Sequence, residues 1–535
     1  MSCSSADAEP SQAPSNNDFE PVAVNTDRQF LPTKVYALFY WLLSVFAGLL
    51  ILVPRNLAFH DLANHLARYY VLTRDANLPQ TQDLYSVHFG LTPNLGVDII
   101  ATVLGRFIPA EFVVKGLLLV GLIAWTLGCY LLSVSRNSGR CSPLVFLAPM
   151  LFFNVSVLMG YLNFAFTASF IPIIFYCYER IESPKRKILF LCITVLLTYF
   201  GHMLASLLIL ALLFYQGFQQ RKVPNGRTTM ISATVMTLVV GVLFKIGSVA
   251  SETKQWRFTD ISNKIWMLRT TIETGPSILM YANAFDALLL LCFVTRLAKI
   301  KRDDLQVLIF LAVIYAICPF GLELVMNLDG RIVPIGLAFL VAFSVWRGSK
   351  SKVTELLIAT TCFLLSLVSL FPIYKQVHDG SIEGDKVRLM AKSLEPGSLL
   401  VTVDLNLDMS GERASWDPGL RMISYYAMCE KQVIMPGIYM FATQQPITVR
   451  PGNPILDFVA TNGERMPDVD QIERSLDKIE TALGESRSFK GKTVYVLLVN
   501  HNRTGFPDTY RLKYLDQDKC VALAKVDRIV EKSKS

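Results

Sequence analysis

From Val35 to Tyr374 the chain repeats long apolar runs broken by short polar knots. A membrane-spanning helix needs roughly 20 apolar residues, and fewer where the bilayer thins around a bundle. On that measure the pattern predicts spans at about 35–54, 112–133, 142–158, 162–178, 188–201, 203–218, 228–249, 279–297, 305–326, 332–347 and 353–374. The stretches 142–178 and 188–218 each read as a hairpin of two helices or as one overlong helix. After Lys375 the runs shorten. Residues 398–405, 433–438, 493–500 and 521–526 are apolar and largely bounded by turn residues, which predicts strands. Residues 385–394 and 469–483 carry helical spacing.

Charge decides between hairpins and overlong helices. With hairpins, the knots at 136–140, 180–187, 221–227, 296–302 and 347–352 fall on one side and hold 16 Lys and Arg. The short turns opposite, near Gly160, Gly201 and Gly330, hold Arg331 alone. Merging either hairpin destroys that asymmetry. The positive-inside bias therefore predicts eleven spans, with the amino terminus cytoplasmic and the carboxyl terminus outside. The fold class expected is mainly α: a polytopic helical bundle followed by a soluble α/β domain. Its parts are a tail at 1–34, a membrane domain at 35–375 with a first outer loop at 55–111, and an extracytoplasmic domain at 376–535.

Composition sharpens this division. Charged residues make up 18% of the chain against about 25% in soluble domains, and the deficit lies in the membrane part. Residues 1–34 are rich in Ser, Asn, Asp, Glu and Pro, which predicts disorder rather than a signal peptide. The net charge of +8 sits in loops, with no basic stripe interleaved with aromatics, so no nucleic-acid partner is expected. Seven of the ten Cys, at 129, 141, 177, 192, 292, 318 and 362, lie in or beside apolar runs as small hydrophobes. Cys429 and Cys520 stand alone in the soluble part, as a disulfide or as two thiols. No Cys-x-x-Cys spacing, Gly-rich phosphate loop or nucleophile elbow is visible, and Asn502-Arg503-Thr504 matches a glycosylation acceptor.

Chemistry gathers on the outer side. Asp61, His65, Arg68 and Leu72 fall at helical spacing on one face, with Leu62, Leu66, Tyr69 and Tyr70 as an apolar flank. This predicts an amphipathic helix at the membrane interface. Asp61 is then a helix cap with His65 and Arg68 as anchors, or else a general base or a metal or substrate ligand. Asn94 suits a cap for the apolar helix at about 97–108, and Asp98 falls in its first turn. Asn163 satisfies the turn at Gly160 or bonds a sugar hydroxyl. His202 is the strongly polar residue between two apolar runs. Arg331 either pairs with Asp329 or meets a phosphate, which guanidinium matches well. The loop at about 250–278 adds Lys254, Arg257, Lys264 and Arg269 with Trp256 and Trp266, and no single role follows for any of them.

A first span, an acidic residue early in the first outer loop, an interfacial helix, many short spans and an outer soluble domain together resemble the GT-C class of polyprenyl-phosphate-dependent glycosyltransferases. The resemblance covers most of the chain as architecture, and its motif is Asp61 with its neighbours. It implies an inverting glycosyltransferase in a multi-pass membrane setting, such as a bacterial inner membrane. The donor implied is a polyprenyl-phosphate-linked sugar, the acceptor a glycan, lipid or protein, and the surroundings membrane lipids. The resemblance places the catalytic base at Asp61. His65, Arg68, Asp98, Asn163, His202 and Arg331 are the substrate-binding candidates. Many members carry paired acids where this chain has His60-Asp61, so the need for a divalent metal stays open, and no organic cofactor is expected. A lipid-linked glycan flippase and a polysaccharide polymerase or ligase are the rival readings. Asp286 and Glu323 keep the flippase in view, while Lys115 and Lys245 are placed to snorkel.

Overall fold

The computed structural model describes residues 33–247, 256–270, 279–322, 327–346, 352–404, 424–435, 446–449, 481, 488–489, 491–499, 512–517 and 521–526. Its helices run in chain order as α1 (Thr33–Leu52), α2 (Leu62–Leu72), α3 (Pro79–Leu84), α4 (Leu95–Leu104), α5 (Ala110–Arg136), α6 (Ala148–Phe152), α7 (Val155–Leu158), α8 (Leu162–Ala168) and α9 (Ile171–Arg180). They continue as α10 (Pro184–Gly201), α11 (Met203–Gln219), α12 (Pro224–Gly247), α13 (Ile261–Thr270), α14 (Leu279–Val294), α15 (Arg302–Ile317), α16 (Val333–Phe343) and α17 (Lys352–Ala391). Each of the eleven apolar runs is thus largely helical. Among the described residues, five helices are long and apolar enough to cross a membrane: 34–52, 110–136, 162–180, 224–246 and 353–391. The expected count of eleven is not reached on length and hydropathy. The run at 142–158 is broken into a 3-10 turn and two short helices, and α16 has only 11 residues. Leu238, Val242, Ile246, Leu290, Val294 and Ile317 point apolar side chains outward, as a lipid-facing belt requires.

Both hairpins form. At the basic end, Arg136 bonds Glu179 and Asp304, Asn137 bonds Ser344 O and Trp346 N, and Gln219 bonds Asp303 O. Residues 298–300 pair antiparallel with 344–346, and Asn225 reaches Glu182 O. These contacts bring four of the knot regions, and the strand 344–346 that leads to the fifth, to one end of the bundle. The turns at Gly160, His202 and Arg331 meet at the other end.

Beyond the bundle, a four-stranded sheet has the order Leu399–Asp404, Val494–Val499, Val521–Val526, Leu512–Gln517. Its first pair is parallel and the rest antiparallel. Three of the expected strands are present, and Leu512–Gln517 is added. Of 433–438, Ile434 forms a bridge to Leu399. The 1–34 tail (to residue 32), the helix at 469–483 apart from Thr481, Glu323, Cys520 and the 502–504 acceptor lie outside the described residues. Cys429 is a free thiol among the described residues.

The break expected between the last span and the soluble domain does not occur. Helix α17 runs 40 residues with Pro372 inside it, joining the final span to the helix expected at 385–394. Proline removes one backbone bond from a helix. Packing beyond it holds the helix together: Asn56 bonds Ser381 and Asp385, and Arg388 bonds Glu430. Gly380 allows the approach, since a Cβ there would lie 2.1 Å from the Ala58 Cβ.

The carboxyl-terminal part also covers the first outer loop. Tyr426 Oη donates to Leu57 O at 2.7 Å, Tyr85 Oη donates to Met435 O at 2.8 Å, and 85–87 pairs with 447–449. Every residue of α2 is buried. The interfacial amphipathic helix expected at 61–72 is therefore an internal one. Its apolar flank is roofed by protein from more than 350 positions along the chain, a partner that local periodicity cannot reveal. Lys115 does not snorkel either: its ammonium bonds the carbonyls of Leu52 and Pro54 at the end of α1.

Candidate active site

Asp61 sits where α1 hands over to α2. His60 N and Asp61 N donate to Leu158 O and Met159 O at 3.1 and 3.0 Å, docking this turn on the end of α7. Gly160 makes the fit possible, with φ +73° and space so tight that a Cβ would stand 2.5 Å from Leu62 N and 2.7 Å from Asp61 N. The side chain of Asp61 makes no cap bond to α2, so capping does not explain it. Its Oδ1 accepts from Asn64 Nδ2 at 3.1 Å, and its Oδ2 lies 3.6 Å from His65 Nε2. The side chain is 21% exposed. Burial pushes the carboxyl up to about 6, against the pull of Arg68, Asn64 and Arg331.

Behind Asp61 runs a buried polar chain. Arg68 donates through one NH2 group to His65 Nδ1 at 2.6 Å and through Nε to Asp98 Oδ1 at 2.8 Å. A guanidinium only donates, so Nδ1 is an acceptor and the ring proton is on Nε2, facing Asp61. Burial, with Arg68 alongside, holds the imidazole well below its usual range and therefore neutral. Asp98 Oδ2 lies 3.3 Å from Asn163 Nδ2, which also donates to Asn94 O at 2.6 Å. Asn94 does not cap its own helix. Its φ is +68°, and its Oδ1 accepts from Met203 N at the start of α11 instead.

The other wall comes from the turns at His202 and Arg331. His202 ends α10 and caps α11, its Nδ1 accepting from Leu204 N at 3.2 Å. Its Nε2 stands 3.4 Å from a guanidinium nitrogen of Arg331. A fixed cation beside an imidazole is an arrangement that suits an anion. Arg331 lies over the Tyr161 ring at 4.0 Å and the Phe164 ring at 5.5 Å. The expected local partner Asp329 is engaged elsewhere, with Oδ2 on Lys264 Nζ at 3.0 Å and Oδ1 on Gly330 N at 2.9 Å.

All seven candidates from the sequence therefore lie on one circuit. It runs from Asp61 through His65, Arg68, Asp98 and Asn163, then by Phe164 to His202 and Arg331, and back by Tyr161 and Gly160. Sequence reasoning gave no individual role to Asn64, Tyr161 or Lys264. Asn64 and Tyr161 adjoin residues already singled out. Lys264 carried no local signal, since its partner lies 65 positions away.

The donor set does not fit a divalent metal. Asp61 has one imidazole beside it whose Nδ1 is occupied by Arg68, and Asp98 is held by Arg68 and Asn163. Among the described residues no three His, Cys, Asp or Glu side chains gather as ligands.

In sequence, no protein-family model and no curated protein matches the chain. In structure it is similar to ArnT from Cupriavidus metallidurans bound to undecaprenyl phosphate, 12% identical, with a TM-score of 0.53 over 92% of this chain and 98% of that one. The apo state of the same protein covers the same shares at 11% identity and a TM-score of 0.46. The chain therefore shares the fold of that protein, and five of its described helices are long and apolar enough to cross a membrane.

Proposed function

We propose that the protein is an inverting glycosyltransferase that moves a sugar from a polyprenyl phosphate to an acceptor hydroxyl at the outer face of the membrane. The observation that carries this reading is the pairing of a partly exposed, proton-seeking carboxylate with the Arg331 guanidinium and His202 on the same circuit. The neighbour with the same fold was solved with undecaprenyl phosphate bound, which supports a phosphate of that kind as the leaving group.

The acceptor O–H gives its proton to the Asp61 carboxylate as its oxygen bonds to the anomeric carbon. The bond from that carbon to the donor phosphate breaks, and its electron pair stays on the phosphate oxygen. Arg331, with His202 beside it, receives the growing negative charge, in surroundings where such interactions are strong. One displacement inverts the anomeric centre. His65, held by Arg68, fixes the Asp61 carboxylate, and Asp98 and Asn163 fix Arg68. Each step is complete with these side chains. The acceptor is a glycan, lipid or protein. The eleven apolar runs each pass the membrane, with the amino terminus cytoplasmic and the carboxyl-terminal domain on the Asp61 side, as in a bacterial inner membrane.

The test is transfer in detergent from a radiolabelled polyprenyl-phosphate sugar to an acceptor extract. The wild-type chain should label it, and Asp61→Asn should lower the rate by at least about a thousandfold, the scale of a lost general base. Transfer untouched by Asp61→Asn sinks the base assignment. Lipid movement across liposomes without sugar transfer replaces the enzyme with a flippase.

A further inference from the structure

At the far end of α2, roughly 14 Å along the helix from Asp61, lies a second cavity of about 710 Å³. It is bounded by the end of α2, the turn between α4 and α5, the start of α5, and Arg388 of α17. Its wall carries five cations, Arg55, Arg74, Arg106, Lys115 and Arg388, against one carboxylate, Glu111. Three more carboxylates stand behind the wall. Asp75 holds Arg74, Glu430 holds Arg388 and Arg55, and Asp385 adds to Arg55. Glu111 pairs with Arg388 at 3.4 Å and accepts from Tyr70. The five cations outnumber these four carboxylates by one, and that surplus reaches the rim at Arg106, which is exposed. A fixed surplus of positive charge in a concave site selects anions.

The rim names the kind of anion. Phe107 and Phe112 are 81% and 64% exposed, and Ile108 between them is also exposed. Phe107 and Ile108 follow Arg106 in the turn before α5, and Phe112 lies in the first turn of α5, one of the membrane-crossing helices. The turn therefore presents a guanidinium and bare aromatic rings together, at the depth where lipid headgroups meet acyl chains. A soluble anion has no use for the rings, and a neutral lipid none for the cations.

We propose that this cavity is a lipid site separate from the Asp61 circuit, taking the phosphate headgroup of a membrane lipid on the outer face. Arg106 and Arg55 bind the phosphate. Phe107, Ile108 and Phe112 meet the chains. Arg74 and Arg388 are held by their carboxylate partners as a fixed floor. Occupancy would tie the first outer loop and the end of α17 to the membrane surface, and it does not depend on the reaction at Asp61.

The test uses the full chain in detergent with a fluorescent phosphatidic acid as probe. Phosphatidic acid should bind at least about tenfold more tightly than phosphatidylcholine. Arg106→Gln, which breaks no ion pair described above, should erase about a tenfold step, and Arg55→Gln added to it should erase the preference. Asp61→Asn should leave binding unchanged. Equal binding by Arg106→Gln, the double variant and wild type overturns the proposal. So does a loss in Asp61→Asn, which would move the lipid to the other site. Displacement of the probe by an equal concentration of inorganic phosphate overturns the lipid as the ligand. None of these outcomes bears on sugar transfer, so this proposal and the enzymatic one fail separately.

Discussion

Arg68 and Asp98 lie 30 positions apart and form a fully buried ion pair, with Arg68 Nε 2.8 Å from Asp98 Oδ1 and both side chains without exposure. The pair joins α2 to α4 behind the carboxylate of Asp61. Breaking it from one side leaves a buried charge, which typically costs about 3–5 kcal/mol. Asp98→Ala should therefore lower the thermal unfolding midpoint strongly. Replacing both, as Arg68→Met with Asp98→Leu, should recover much of that stability without recovering transfer. A single variant as stable as wild type would show that the pair carries no such strain.

Asp61 sets the pH behaviour. Its folded pKa of about 6 lies above the ordinary value of 3.8, because burial disfavours the charge. As a base it acts ionised, so the transfer rate should climb with pH through about 6 and level off above 7. Stability runs the other way. A carboxyl whose pKa rises on folding favours the fold while protonated; that contribution is complete below about pH 4 and lost as pH passes 6. Asp61→Asn should therefore unfold at a higher temperature than wild type at pH 7, by at most about 3 kcal/mol, and equal it at pH 4. Melting curves at the two pH values check this, and an Asn variant weaker at pH 7 contradicts the direction of the shift.

His65 is a positioning residue with a defined tautomer. Its Nδ1 is taken by Arg68, so it presents Nε2–H to Asp61. A glutamine places an amide N–H near Nε2, whereas alanine places nothing there. His65→Gln should keep about tenfold more of kcat than His65→Ala, with the pH profile of the Gln variant close to wild type and that of the Ala variant displaced. Equal losses and unmoved profiles would leave His65 with a packing role only.

Gly160 carries the geometry of the site in its backbone. A side chain there meets the backbone of Asp61 and Leu62 and must adopt φ +73°. Gly160→Ala should cost about 1–3 kcal/mol and lower kcat more than it raises KM, because it moves the base rather than the donor-binding wall. Steady-state kinetics on folded protein reads the split, and a change confined to KM would contradict it.

The sequence determined the bundle through patterns that are local. Apolar length fixes where helices form, and the side of the basic knots fixes which way each hairpin folds; both hairpins are present, closed at Gly160 and at His202. It also picked out residues at the end opposite the basic knots, since Asp61, His65, Arg68, Asp98, Asn163, His202 and Arg331 are polar where apolar neighbours make polarity costly. Pairing was beyond it. Arg68 with Asp98, Lys264 with Asp329 and Asn94 with Met203 join positions 30, 65 and 109 apart. An isolated segment carries no record of what will cover it, which is why α2 read as an interfacial helix and α17 as a span that stops. Only the folded chain supplied the roof over α2 and the contacts that carry α17 past Pro372, because burial belongs to both surfaces that meet.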